Sequence, residues 1–150
     1  MSIVDTFKTL LKPNQQGAPT TAPVATKTKV LVVEDDKAMR DVYVEVLLSE
    51  GFDVRIANNG EEGLSVATNY PPDIIVLDLL MPVMDGKTML RKLRDIPQFK
   101  SLPVIVLTNQ GDVDSMNETK LFGNASDFLI KANITPNILV DKIKMFSTPQ

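Results

Sequence analysis

The chain has 150 residues, of which 43% are hydrophobic, and a formal net charge of −3. These totals fit one globular domain with no general attraction to nucleic acid or to anionic lipid. The sequence has neither cysteine nor histidine. This absence excludes disulfides, thiolate or imidazole metal ligands, and Ser-His or Cys-His catalytic pairs. Any phosphoryl chemistry must therefore use carboxylates, hydroxyls and lysines.

The first 28 residues differ in composition from the rest of the chain. Apolar side chains within residues 2–12 recur at roughly helical spacing, at Ile3, Val4, Phe7, Leu10 and Leu11. They are compatible with a short amphipathic helix, which is marginal in water on its own. Residues 13–28 are rich in Pro, Thr, Gln and Ala and predict a flexible linker. We expect a tail over residues 1–28, either an exposed disordered arm or a segment that docks on a partner or on the domain itself.

Residues 29–147 show the pattern of one folded domain. Five short apolar runs predict strands, at Val30–Val33, Val54–Ala57, Ile74–Leu77, Val104–Leu107 and Phe128–Ile130. Most of these runs are continuous, as in strands that are buried on both faces of a parallel sheet. No apolar run is long enough to cross a membrane and no signal-peptide layout is present, so we expect a cytoplasmic location. We expect no output domain after this one.

Segments of helical period alternate with the strands. The apolar faces of the first, third, fourth and fifth predicted helices are Met39, Val42, Tyr43, Val46 and Leu47; Met89, Leu90 and Leu93; Val113, Met116, Leu121 and Phe122; and Ile138, Leu139, Ile143 and Phe146. Glu61 and Glu62 suit the first turn of the second helix. Gly51 is expected to end the first helix, and Thr135 with Pro136 to begin the last. This alternation predicts an α/β fold with helices on both faces of a parallel sheet.

Side chains suited to phosphoryl chemistry follow four of the predicted strands. Glu34 and Asp35 follow the first strand, Asp78 the third, Thr108 the fourth and Lys131 the fifth. Ligands bind such sheets at the carboxyl ends of the strands, so we expect these side chains to meet. Neighbouring carboxylates repel, and Mg²⁺ prefers carboxylate, water and phosphate oxygens. The sequence therefore predicts a magnesium site at this edge.

Each residue type suits one task in phosphoryl transfer. The Asp78 carboxylate can act as a nucleophile, as in aspartyl-phosphate chemistry, while the Thr108 hydroxyl and the Lys131 ammonium hold phosphoryl oxygens. Taken singly, each residue has an ordinary explanation as a turn residue, a strand former or a solvated charge. Because four separate strands deliver these types to one edge, the combination favours the functional interpretation.

Four ordered stretches resemble the receiver domains of two-component response regulators, namely VLVVEDD (30–36), PDIIVLDLLMPVMDG (72–86), PVIVLTN (103–109) and ASDFLIKA (125–132). The resemblance covers about residues 28–146 and implies a flavodoxin-like, doubly wound (βα)5 fold with a five-stranded parallel sheet in the order 2-1-3-4-5. It also implies a role for each site residue. Asp78 would be the phospho-acceptor, with Thr108 and Lys131 beside it. The Mg²⁺ ligands would be Glu34, Asp35, Asp78 and the backbone carbonyl of Leu80. The switch residues would be Thr108 and Phe128.

The resemblance further implies a mechanism and partners. A sensor histidine kinase or histidine phosphotransfer protein would present a phosphohistidine, and Asp78 would accept the phosphoryl group with Mg²⁺ as cofactor. The surface formed by the fourth helix, fifth strand and fifth helix would then change and regulate an unknown downstream protein. With no histidine in the chain, the donor must be another chain or a small acyl phosphate. We expect a signalling domain rather than an enzyme, although it would carry out self-phosphorylation and autodephosphorylation. We expect it to be a monomer or a weak homodimer, and to have no nucleic-acid or membrane partner.

Three positions depart from the usual receiver pattern. Ala132 stands where proline usually follows the lysine, so the loop after the fifth strand is expected to differ. Asn109 stands where a small residue is more usual, and we expect its side chain to narrow access to the site, so that Asn109→Ala speeds phosphoryl labelling. Glu34 replaces a more frequent aspartate and keeps the charge.

Other functions are compatible with an acidic edge on an α/β sheet. A haloacid-dehalogenase-like phosphatase needs a second carboxylate two residues after the nucleophile, where this chain has Leu80. A flavin-binding electron carrier needs a hydroxyl- and glycine-rich loop after the first strand, where residues 34–36 are acidic. A degenerate receiver, which binds partners without phosphorylation, is the alternative that stays open, and Ala132 and Asn109 are its support.

Overall fold

Strands and helices alternate along the part of the chain that the computed structural model describes, residues 26–109, 114, 117 and 125–147. The strands are β1 (Lys29–Val33), β2 (Asp53–Ala57), β3 (Ile74–Asp78), β4 (Val104–Thr108) and β5 (Asp127–Ile130). The helices are α1 (Lys37–Ser49), α2 (Gly60–Asn69), α3 (Gly86–Asp95) and α4 (Pro136–Ser147), with 3-10 turns at Pro97–Phe99 and Lys131–Asn133. Each predicted strand is present and is one residue longer than expected. The amphipathic segment 2–12 lies outside the described residues. Of the predicted helix over 113–123, only residues 114 and 117 are described, and both are helical.

The five strands form one sheet in the order β2-β1-β3-β4-β5, and each neighbouring pair is parallel. This order confirms the predicted flavodoxin-like, doubly wound α/β fold. The order of the strands reverses between β1 and β3, which is where ligands bind such sheets. In the register, Val33 lies opposite Leu77 and Asp78 lies opposite Leu107. The carboxyl ends of β1, β3 and β4 are therefore side by side.

The central strands β3 and β4 are buried along their whole length. Alternate side chains of a strand point to opposite faces of the sheet, so each of these strands serves two core clusters. Ile75 and Leu77 pack with α2 and α3 on one face, and Ile74 and Val76 pack with α1 and α4 on the other. Burial on both faces explains the continuous apolar run, and it leaves Asp78 as the one polar residue of β3.

The helix ends follow the predicted signals. The backbone N–H of Ile138 donates to Thr135 Oγ1 at 3.3 Å, and α4 begins at Pro136. Gly51 lies just beyond α1 with a φ of 87°, the left-handed conformation in which many helices end. Among the described residues, no helix is both long enough and apolar enough to cross a membrane.

The buried face of α1 differs from the predicted one at two positions. The apolar pattern places Val42 in this face, but its side chain is 46% exposed. Arg40 is only 7% exposed, and it forms the buried stripe of α1 with Tyr43 and Leu47. The spacing of three and seven residues along the helix is that of a core position. A charged residue at this position indicates that its guanidinium makes specific hydrogen bonds.

The loop between β3 and α3 passes close to the backbone of Asp78. A Cβ atom at Gly86 would lie 2.2 Å from the carbonyl oxygen of Asp78, so only glycine fits there. The N–H of Gly86 donates to the carbonyl of Leu79 at 2.9 Å, which closes the loop. Val83, in the middle of the loop, has a φ of 69°, an uncommon conformation for a β-branched residue and a source of local strain.

Gly86→Ala is expected to lower the free energy of unfolding by about 3 kcal/mol, because the backbone of Asp78 must move to admit the methyl group. The matched control is Gly51→Ala, where nothing lies within 4 Å of the added Cβ and only the positive φ costs about 1 kcal/mol. Urea denaturation measures both values. Equal losses in the two variants would contradict the steric explanation.

Candidate functional site

Lys131 forms ion pairs with two buried carboxylates at the carboxyl edge of the sheet. Its Nζ lies 3.1 Å from Asp78 Oδ2 and 3.0 Å from Glu34 Oε2, and it donates a hydrogen bond to Glu34 Oε1 at 3.2 Å. Glu34 is fully buried and Asp78 is 3% exposed. The structure thus brings together three residues that lie far apart in the sequence, at the strand ends where they are predicted to meet.

Asp35 and Leu80 lie beside this pair of carboxylates. Carboxylate oxygens of Glu34, Asp35 and Asp78 all lie within 4.8 Å of one another, and Asp35 is the exposed member of the three. The backbone N–H of Leu80 donates to Asp78 Oδ1 at 3.4 Å, and the Leu80 side chain is exposed. The three predicted carboxylate ligands are therefore together, with one of them facing solvent.

Thr108 and Phe128 lie on the two neighbouring strands, β4 and β5. Thr108 is buried at the end of β4, and its hydroxyl donates to the carbonyl of Asn109 at 3.3 Å. Its register partner on β5 is Ile130, the residue before Lys131. Phe128 is half-buried and packs against the core cluster that α2 and α3 cover. Thr108 thus lies at the same edge of the sheet as Asp78, whereas Phe128 lies within β5, and their roles as switch residues stay predictions.

An open pocket of about 540 Å³ lies over the acidic cluster. Its lining residues are Glu34, Asp35, Asp36, Met39, Asp78, Leu80, Asn109, Lys131 and Ala132. All three departures from the usual receiver pattern, Glu34, Asn109 and Ala132, therefore border the site. Ala132 belongs to the 3-10 turn that follows β5, and the described residues contain no cis peptide bond.

Burial raises the pKa of both carboxylates that Lys131 contacts. The pKa of Glu34 rises from 4.5 to about 6, because desolvation and the charge of Asp78 outweigh the attraction of Lys131. Burial also raises the pKa of Asp78, against the opposing charge of Lys131. Burial alone would lower the pKa of Lys131, but its hydrogen bond with Glu34 and the charge of Asp78 raise that pKa overall. One ammonium thus compensates two buried carboxylates only in part.

This set of carboxylates fits a hard divalent cation. Apart from its ion pair with Lys131, Glu34 Oε2 has no hydrogen-bond partner among the described residues, although it is buried. A cation with oxygen ligands would relieve the repulsion that remains among Glu34, Asp35 and Asp78. Mg²⁺ is suited to this task, since it binds one or two carboxylates and keeps water and phosphate oxygens as its other ligands.

The sequence patterns do not reveal the polar network that supports Glu34. Arg40 Nη1 donates to the backbone carbonyl of Glu34 at 2.9 Å and to Asn58 Oδ1 at 2.6 Å. On the same stripe of α1, the Tyr43 hydroxyl is buried without a hydrogen-bond partner among the described residues. Burial and the charge of Glu34 raise the pKa of Tyr43. The signal in the sequence is a charged residue at core spacing, three residues before Tyr43.

A lysine that bridges two buried carboxylates, at the switch point of a flavodoxin-like sheet, is the arrangement expected of a two-component signalling domain. Comparison with known families agrees, because the family model described as the response regulator receiver domain matches residues 30–144. The chain belongs to the response regulator receiver domain family. Its members are signalling domains rather than classical enzymes, and they generally bind Mg²⁺.

Individual relatives support this assignment. Sporulation initiation phosphotransferase F of Bacillus subtilis (strain 168) is 33% identical over 100 residues, which are 67% of this chain and 79% of that protein. Response regulator MprA of Mycobacterium sp. (strain KMS) is 38% identical over 103 residues, 69% of this chain and 44% of that protein. The chain spans less than half the length of several curated relatives that it matches. The solved chemotaxis response regulator CheY4 of Vibrio cholerae has a TM-score of 0.74 at 30% identity and covers 81% of this chain and 99% of its own.

In EDTA, the wild type is expected to gain about 2 kcal/mol of stability relative to Glu34→Gln as the pH falls from 7 to 4.5. The pKa of Glu34 is about 6 in the folded protein against an ordinary value of 4.5, so the folded state binds the proton more tightly. This contribution is complete below pH 4.5 and is lost as the pH rises through about 6. Urea denaturation across this range measures it.

The control for this pH dependence is Glu45→Gln, which removes an exposed carboxylate from α1, the helix that follows Glu34 in the chain. This variant is expected to follow the wild-type profile. A wild type and a Glu34→Gln variant with parallel profiles would show that the buried Glu34 carboxylate does not titrate as described.

Proposed function

We propose that residues 29–147, with a tail over residues 1–28, form a phosphorylation-dependent switch in a cytoplasmic phosphorelay. Asp78 accepts a phosphoryl group from a phosphohistidine donor, and Mg²⁺ is the cofactor. The observation that carries this proposal is the contact of 3.1 Å between Asp78 and Lys131, within a cluster of three carboxylates. A nucleophile, a cation for the product and ligands for a metal thus share one pocket.

Asp78 is suited to act as the nucleophile. One of its carboxylate oxygens forms a bond to phosphorus while the bond from phosphorus to the donor imidazole nitrogen breaks, and the imidazole leaves with that electron pair. The Lys131 ammonium, whose raised pKa keeps it protonated at neutral pH, then compensates the charge of the acyl phosphate. The Thr108 hydroxyl, on the adjacent strand, is proposed to hold another phosphoryl oxygen.

Glu34, Asp35, Asp78 and the backbone carbonyl of Leu80 are the proposed ligands of Mg²⁺. When bound, the ion supplies positive charge that screens the incoming phosphoryl group. Glu34 and Asp35 both line the pocket but differ in exposure, so that one proposed ligand is buried and the other is exposed to solvent. This arrangement leaves room for water and phosphate oxygens on the solvent side.

The added negative charge on Asp78 is proposed to change the surface of the domain. Thr108 and Lys131 move toward the phosphoryl group and Phe128 turns inward, a local electrostatic event that biases a two-state element. Phe128 belongs to β5 and is half-buried beside Val106, its register partner on β4. Its rotation would therefore couple a change at the end of β4 to β5. The surface that responds comprises the predicted helix before β5, β5 itself and α4.

The proposed phosphoryl donor is a sensor histidine kinase or a histidine phosphotransfer protein. The relatives include one protein named a phosphotransferase and one named a sensor histidine kinase, TmoS of Ectopseudomonas mendocina. The output is proposed to be an unknown downstream protein rather than nucleic acid or membrane, with the chain monomeric or weakly homodimeric. The alternative, a receiver that binds partners without phosphorylation, draws its support from Ala132 and Asn109 at the pocket.

Incubation with acetyl phosphate and Mg²⁺ is expected to add one phosphoryl group to the wild type, as read by intact mass. Asp78→Asn removes the nucleophile and is expected to stay unmodified, as is the wild type in EDTA. The matched control is Asp73→Asn at the opposite end of β3, where the carboxylate accepts from the N–H of Lys29. This variant is expected to gain the phosphoryl group like the wild type.

Two results would count against this function. A mass gain in Asp78→Asn equal to that of the wild type would move the acceptor to another residue. No gain in a folded wild type that binds Mg²⁺, followed by no binding of beryllofluoride, would favour the phosphorylation-independent interaction module.

A further inference from the structure

Arg40 is a buried arginine that is hydrogen-bonded to a proposed metal ligand. It belongs to the buried stripe of α1 and is 7% exposed. Its Nη1 donates to the backbone carbonyl of Glu34 at 2.9 Å and to Asn58 Oδ1 at 2.6 Å. Glu34 follows β1 and Asn58 follows β2. One guanidinium therefore ties together the carboxyl ends of two adjacent strands.

The core of the domain does not require a charge at this position. Burying a guanidinium is costly unless its donors are paired, and Arg40 Nε is buried with no hydrogen-bond partner among the described residues. An apolar residue would continue the stripe of Tyr43 and Leu47 without that cost. Both acceptors of the Arg40 hydrogen bonds, Glu34 and Asn58, lie at the carboxyl edge of the sheet. We therefore expect Arg40 to affect the structure of that edge.

Glu34 is held through its backbone and through its carboxylate. Its N–H donates to a carbonyl of β2 at 3.1 Å, its carbonyl accepts from Arg40, and its Oε1 accepts from the N–H of Asp36 at 3.2 Å. Asn58 is held in turn by Glu62 in the first turn of α2, to which its side-chain amide donates at 3.0 Å. Arg40 thus anchors the end of β1 to a second strand and a second helix.

We propose that Arg40 is a positioning residue, which fixes the end of β1 so that Glu34 and Asp35 bind a divalent cation together. This inference rests on the proposed function, in which the cation is Mg²⁺. Arg40 acts through the backbone of Glu34 and through Asn58, and its effect is on the affinity of the site for the cation.

Charge and positioning predict opposite effects of removing Arg40. Coulomb's law alone predicts tighter cation binding, because a positive charge that is hydrogen-bonded to the backbone of Glu34 is lost. Loss of the anchor predicts weaker binding, by about tenfold, as when other groups that support metal ligands are removed. An arginine with a purely structural role would change the stability and leave the cation affinity as it is. The sign of the change separates these three explanations.

Calorimetric titration of the full chain with Mg²⁺ tests the proposal. Arg40→Met is expected to bind Mg²⁺ about tenfold more weakly than the wild type. Arg40→Lys is expected to recover most of the affinity, because one ammonium can donate to both acceptors. The matched control is Arg94→Met, since Arg94 also donates from one nitrogen to two acceptors, the carbonyls of Phe99 and Leu102, outside the site. This control is expected to lose stability and to bind Mg²⁺ like the wild type.

Asn58→Ala provides a second test, which decides the question if Arg40→Met does not fold. It leaves the guanidinium in place and removes one of its two acceptors, so a smaller loss of Mg²⁺ affinity is expected. Unchanged or tighter binding in Arg40→Met, or in Asn58→Ala where Arg40→Met does not fold, would overturn the positioning role and leave the proposed function intact. A wild type that does not bind Mg²⁺ would overturn both.

Discussion

The ion pairs that Lys131 makes with the buried carboxylates of Glu34 and Asp78 are the constraint on which the rest of the site depends. Two buried carboxylates repel each other and lose hydration, and one ammonium compensates them only in part. Because negative charge remains, the pocket is suited to bind a divalent cation. In the proposed function, that cation screens the charge of the incoming phosphoryl group. In that function, the same ammonium compensates the charge of an acyl phosphate on Asp78.

The fold supplies this arrangement because parallel strands end at one edge of a sheet. β3 is apolar up to Asp78 and buried on both faces, so the carboxylate stands at the end of a rigid, central strand. Gly86 allows the following loop to pack against the backbone of Asp78, and α1 places Arg40 between the ends of β1 and β2. Gly86 and Arg40 therefore support the backbone at the ends of β3 and β1, while Glu34, Asp35, Asp78 and Lys131 line the pocket.

Much of this architecture follows from local patterns in the sequence. Five short apolar runs, most of them continuous, predict the five strands, and Thr135, Pro136 and Gly51 predict helix ends that the structure confirms. The meeting of Glu34, Asp78 and Lys131 follows from the parallel sheet. The strand order comes from the resemblance to receiver domains, since periodicity does not specify which strands are neighbours. The roles of Thr108, Phe128 and Leu80 come from the same resemblance and stay predictions.

The parts that the sequence does not predict are those that depend on tertiary contacts. Hydrophobic periodicity assigns a charged residue to the surface, and so it places Val42 in the buried face of α1 and overlooks Arg40. The hydrogen bonds of Arg40 with Glu34 and Asn58 join residues whose proximity exists only in the folded sheet. The left-handed conformation of Val83 is likewise not one that a valine prefers, so the sequence does not predict it. Borohydride reduction of the phosphorylated chain, followed by peptide mass spectrometry, tests directly whether Asp78 is the phospho-acceptor, because hydride converts an aspartyl phosphate to homoserine with release of phosphate. Homoserine at position 78 alone, dependent on Mg²⁺ and a phosphodonor, is the predicted result, whereas homoserine at Asp35 or Asp36 with an unmodified Asp78 would contradict it.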